Sequence, residues 1–147
     1  MVNPLEEAFP GLAGGSYRIT SPPSKDYNCI AWAAGGTEDW WWPVPPHVKE
    51  VYWPADIPRL ETLAAFSQAF AALGYIECAA DNLESGFEKI ALFANEQGLP
   101  LHAARQLPSG RWSSKLGERE DIEHGLRDLE GTTYGSVLLI MKRPLRS

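Results

Sequence analysis

The spacing of apolar residues changes along the chain, from helical in its first half to strand-like in its second. Residues 1–25 hold no sustained period. Pro10-Gly11, Gly14-Gly15 and Pro22-Pro23 interrupt every run, which predicts an irregular lead-in on the surface. The first helix is expected at Ile30–Ala34, with Asp26 or Asn28 as its cap, Cys29 in its first turn and Gly35 at its end. Residues 37–58 alternate Trp with Pro and read as a loop, because proline removes the donors a regular element needs. Asp56 is the expected cap of a second helix, in which Leu60, Leu63, Ala64, Phe70 and Leu73 recur at helical spacing until Gly74.

From Tyr75 onward the period shortens. Tyr75–Cys78 is strand-like, and Phe87–Ala94 is apolar on both faces, as a central strand would be. Leu101–Leu107 reads as the next strand, and Pro108-Ser109-Gly110 as a hairpin leading into Arg111–Leu116. Residues 121–129 predict a short helix with Ile122, Leu126 and Leu129 as its buried stripe, and Tyr134–Lys142 the last strand. The fold class expected is α+β, with N-terminal helices packed on a mostly antiparallel sheet and no internal repeat.

Length and composition narrow the function classes. The 147 residues suit one domain, 1–147. A net charge of −6 argues against nucleic acid as a partner, since phosphate binding needs a basic face. No run of 18 apolar residues exists to cross a membrane, and the Pro- and acid-bearing N-terminus does not read as a signal peptide. A cytoplasmic, reducing location is therefore expected, which keeps Cys29 and Cys78 as free thiols. Cys78, in a short strand, is expected to be a buried structural thiol.

Cys29 has a different setting. A thiol at the start of a helix meets unpaired backbone N–H groups that favour its thiolate, and a packing cysteine is the plain alternative. His102 opens the strand Leu101–Leu107, where alternation groups it with Ala104 and Gln106. An imidazole there is suited to take a proton from a facing thiol and return it to a leaving group. The other histidines fit less well. His124 is placed opposite the apolar stripe of the 121–129 helix, exposed and paired with Asp121 or Asp128, and His47 sits in the Pro-rich loop. No two of the cysteines and histidines have metal-ligand spacing, so neither metal nor cofactor is expected. Trp40, Trp41 and Trp42 cannot all face inward from an irregular loop, so at least one is expected to line a cleft or interface.

The element order resembles that of papain-like cysteine peptidases, nearest their compact NlpC/P60 branch. Tyr27-Asn28-Cys29 is similar to the Tyr-Asp-Cys entry of that branch, and HAARQLPSG (102–110) to its histidine strand and hairpin. The chain also resembles a family of small bacterial proteins of uncharacterised activity, with YNCIAWA early and HAARQLPSGRWSSKLG followed by DIEH late, over most of residues 24–143. The peptidase resemblance implies a papain-like fold with Cys29 as nucleophile and His102 as base and acid. The position of the orienting third member falls near Ser114, a hydroxyl where those enzymes carry an amide, a carboxylate or a histidine. The backbone N–H of Cys29, helped by Asn28, would hold an oxyanion, while Tyr27 and the three tryptophans would contact a peptide or protein substrate. A binding module that keeps the fold without turnover, using the Trp loop to hold its partner, is the competing expectation. The oligomeric state is left open.

Overall fold

The lead-in is more ordered than its prolines and glycines imply. In the computed structural model, which describes residues 4–145, it holds helix α1 (Pro4–Ala8), a 3-10 turn (Pro10–Gly14) and strand β1 (Arg18–Ser21). Leu5, Phe9 and Leu12 are the reason. Each is buried, so the segment covers one face of the sheet instead of lying loose upon the surface. Residues 1–3 of the lead-in, like residues 146–147, lie outside the described residues.

Helix α2 (Cys29–Ala33) follows, and two-residue strands β2 (Trp40–Trp41) and β3 (Val51–Tyr52) pair in parallel within the stretch expected to be irregular. The prolines flank these pairs and leave their N–H groups free to bond. Helix α3 (Leu63–Ala71) begins later than expected, capped by the Thr62 hydroxyl and not by Asp56. The Pro58 carbonyl, which would join an earlier helical turn, accepts the Trp53 indole N–H at 3.1 Å.

The second half forms β4 (Ile76–Cys78), β5 (Phe87–Ala94), β6 (Pro100–Gln106), β7 (Trp112–Lys115), β8 (Asp121–His124) and β9 (Ser136–Pro144). Seven strands join in the order β1-β8-β7-β6-β5-β9-β4, every neighbouring pair antiparallel, so the protein is α+β with a dominant sheet. The helix expected over 121–129 is a strand followed by a 3-10 turn (Leu126–Leu129). A turn closed by Leu116 N–H to Glu120 C=O at 3.0 Å sends the chain back along β7, and the pairing of Ser114 with Ile122 sets the register. Ile122, Leu126 and Leu129 still share one buried cluster, but the turn brings them together and not a helical stripe.

The sheet divides the core. Ala103, Ile90 and Leu92 face α2 and α3, with Phe66 and Phe70 against them. Ala104, Ala91 and Phe93 face the lead-in and the 3-10 turns. This division decides where the chemistry-bearing side chains meet.

Candidate functional site

Asn28 fixes the start of α2. Its backbone is extended, and its side-chain oxygen accepts the Ala31 N–H at 3.1 Å. The same oxygen accepts the Trp41 N–H at 3.0 Å while Nδ2 donates to the Trp41 carbonyl at 2.7 Å. One amide thus caps the helix and clamps the Trp loop against it. Of the two donors that a carboxamide carries, one N–H remains uncommitted.

Cys29 then opens a helix of only five residues, packed against β6 and β7. Those two strands pair only through Arg105–Ser113 and Gln106–Trp112. Toward the start of β6 they diverge, and the Ala103 N–H that would serve a longer ladder turns to the Cys29 sulfur. The sulfur therefore lies at the mouth of the split, one residue along β6 from His102.

His102 shares the face of β6 that carries Ala104, opposite Phe93 of β5, and no hydrogen bond joins it to the Cys29 sulfur. Its Nε2 lies 2.9 Å from Ser114 Oγ, which lies 2.7 Å from His124 Nε2. His124 Nδ1 lies 2.8 Å from the Gly125 carbonyl. A carbonyl only accepts, so Nδ1 of His124 carries the hydrogen, and in the neutral ring Nε2 must accept. The Ser114 hydroxyl consequently donates to His124 and accepts from His102 Nε2–H. This order leaves His102 Nδ1 as a bare lone pair, a buried nitrogen without a hydrogen-bond partner. Tyr134 lies flat on the His102 ring, 4.0 Å between centroids and 7° between planes, and Phe93 meets it edge-on at 5.1 Å.

Sequence reasoning placed Ser114 beside His102 but missed His124, which was expected to be exposed. It is fully buried and ends the relay. The alternation Ile122-Glu123-His124, read at strand period, puts His124 on the apolar face with Ile122; the helical period put it on the opposite one.

Burial governs the charges. It pushes the Cys29 thiol up to about 11, with the N–H groups of Ala103, Ile30 and Cys29 and the charge of Lys115 acting the other way. Burial, then the neighbouring His124, holds His102 well below the usual imidazole range. Burial likewise pushes His124 down to about 4, against the pull of the Gly125 carbonyl. The resting pair is thus a neutral thiol and a neutral imidazole. This corrects the expectation that the helix start favours the Cys29 thiolate: a five-residue helix offers little dipole, and desolvation wins. Cys78 is corrected too, being only half-buried on edge strand β4, and the two thiols are not bonded to each other.

Cys29 is 6% exposed, yet it borders a pocket of about 330 Å³ with Asn28, Trp40, Trp42, Leu101, Gly117 and Tyr134. Trp41 turns elsewhere and packs on Tyr52 at 4.6 Å. Tyr27, expected at the substrate, is buried beneath the helix, its hydroxyl donating to Asp121 at 2.6 Å. It does not line the pocket beside Cys29. Among the described residues no cluster of metal ligands occurs, and no helix is long and apolar enough to cross a membrane.

A family profile described as a domain of unknown function, DUF7689, matches residues 18–142, and the chain belongs to that family. No curated protein and no solved structure matches it.

Proposed function

We propose that the protein is a papain-like thiol hydrolase or acyltransferase acting on an amide, isopeptide or thioester bond of a peptide or protein. Cys29 is the nucleophile and His102 its base. The observation that carries this reading is the bare, unpartnered Nδ1 of His102, held as an acceptor by Ser114 and His124, one residue along β6 from Ala103, whose N–H meets the Cys29 sulfur. The proton transfer requires imidazole and thiol to approach, since no bond joins them at rest. A buried lone pair without a donor is costly, and a role in receiving a proton is one reason a fold keeps it.

In the proposed reaction the thiol proton passes to His102 Nδ1 as the sulfur bonds to the substrate carbonyl carbon. The oxyanion is held by the Cys29 backbone N–H and the uncommitted Nδ2–H of Asn28. His102 returns its proton to the leaving group, whose bond to carbon breaks, and water or an acceptor nucleophile then resolves the thioester. Ser114, bonded to the far side of His102, and His124 behind it reach neither the sulfur nor the substrate and are positioning residues. Because the resting pair is neutral, the proton moves during attack and not before it.

A second reading is favoured by one observation, the near-complete burial of both Cys29 and His102. It is a binding module of the same fold, holding a peptide or protein partner between Trp40 and Trp42. An alkylating, mechanism-directed thiol probe, such as a peptidyl vinyl sulfone, separates the two. Labelling at Cys29 that His102→Ala abolishes supports the enzyme. Absence of labelling in the folded wild-type protein, while the Trp pocket still binds a partner, leaves the module.

A further inference from the structure

A second pocket, of about 260 Å³, opens beyond the other end of α2, where Ala33 and Gly35 meet Tyr75, Glu88, Arg105 and Arg143. Two guanidinium groups line it, and one is already compensated. Arg143 is ion-paired with Glu88 of the same wall, while the Lys89 ammonium is held by the Ala80 carbonyl and Glu84. Arg105 has no such partner. Its guanidinium carbon sits over the Trp32 ring, 3.7 Å from the centroid, and no ion pair or hydrogen bond to it occurs among the described residues. None of its nitrogens is sealed away from solvent, and its side chain lines the pocket.

A half-buried guanidinium stacked on an indole and left without an acceptor is an unusual expense in a chain of net charge −6. Stacking fixes its plane and leaves its N–H groups aimed in a fork that matches two oxygens of one oxyanion. Burial holds Arg105 below its usual range, with Asp121, Tyr75 and Glu88 acting against it, and an anion at the fork would relieve that.

We infer that this pocket binds a small oxyanion, a carboxylate or phosphate group, through the planar face-stacked fork of Arg105, with the Arg143 charge beside it. Leu101 lines the Cys29 pocket and Arg105 this one, four residues on along β6, or roughly 13 Å at the rise of a strand. The site is thus distinct from the thiol and does not rest on the proposed reaction.

The test is a titration of ¹⁵N-labelled full-length protein, followed at the Arg105 and Trp32 side-chain N–H signals. Sodium phosphate, sodium acetate and sodium chloride are compared at matched ionic strength. The expected result is a saturable shift with phosphate or acetate but not with chloride, and a loss of at least about tenfold in affinity in Arg105→Gln. Arg105→Lys, which keeps the charge and loses the fork, should fall between. Saturation by phosphate alone assigns a phosphate ligand, and saturation by both a carboxylate-compatible site. Wild-type shifts that match chloride overturn the inference even where a variant fails to fold. An Arg105→Gln titration indistinguishable from wild type overturns it as well.

Discussion

His102 and His124 share one hydroxyl, that of Ser114, at 2.9 and 2.7 Å from their Nε2 atoms. Since the Gly125 carbonyl fixes the proton on His124, it also fixes, two hydrogen bonds away, which nitrogen of His102 is left bare. The tautomer of the proposed base is therefore set on β8, by a residue outside the pocket.

Removing the shared hydroxyl tests that dependence. Ser114→Ala strands a donor on His102 and an acceptor on His124, which should cost roughly 2–4 kcal/mol of stability. Ser113→Ala loses one bond, from the Trp32 indole at 3.1 Å, and should cost roughly 1 kcal/mol. Chemical denaturation compares them. Equal losses would show that the relay holds no special share of the fold.

Acid should reveal the two histidines together. Their folded pKa values lie below the unfolded value, so the unfolded chain binds more protons as pH falls through about 6.5. Their contribution is complete above that pH and is lost as pH falls toward the folded values, near 4 for His124. Between about pH 8 and pH 5 the loss should be roughly 2 kcal/mol for each ring, before the carboxylates titrate. Urea midpoints unchanged across that range would contradict the neutral relay.

Alkylation should rank the thiols in the order opposite to the one their sequence settings imply. With Cys29 pushed up to about 11, about one molecule in a thousand carries its thiolate at pH 8, and the sulfur is nearly covered. Half-buried Cys78 should therefore react first with iodoacetamide, while Cys29 accelerates as pH rises. Mass spectrometry of the labelled peptides decides it; faster labelling of Cys29 at neutral pH would mean that a thiolate is already formed.

The sequence made the frame of the site legible and hid its last member. β5 falls where its two-faced apolar run predicts, β6 and β7 lie within a residue of expectation, and Asn28 is the cap. These elements announce themselves locally. β8 does not, because Ile122, Leu126 and Leu129 fit a helical period equally well, and only pairing with β7 settles the matter. The depth at which Cys29 lies was equally illegible, since it depends on the lead-in, α3 and the Trp loop closing around a sheet.

The loop carrying Tyr134 depends on a glycine. Gly135 has φ +73°, and a Cβ there would lie 2.1 Å from the Ala94 carbonyl oxygen. Gly135→Ala should thus cost on the order of 3 kcal/mol or more and loosen the Tyr134 ring from His102. Gly117 has φ +61° with open space around it, so Gly117→Ala should cost only about 1 kcal/mol. Thermal unfolding of both variants separates steric collision from backbone strain, and similar losses would remove the collision as the cause.

The Trp loop offers the clearest separation of catalysis from mere binding. Trp40 and Trp42 border the Cys29 pocket, but Trp42 also packs edge-on against core Phe66 at 5.3 Å, so its removal would disturb the fold. Trp40 is the cleaner probe. The pocket side chains beside the sulfur carry no formal charge, so a partner held there gains from apolar burial and stacking, each aromatic contact contributing about 1 kcal/mol. If Cys29 turns its substrate over, Cys29→Ala should retain a peptide or protein that the wild type releases, and adding Trp40→Ala should free it. In the module reading the sulfur does no chemistry, so wild type and Cys29→Ala should retain the same partner equally, and Trp40→Ala alone should lose it. Mass spectrometry of material co-purified with the three variants reads both outcomes. Retention by none of them would remove the Trp pocket from function altogether and leave Trp40 and Trp42 as the wall that keeps water from the thiol.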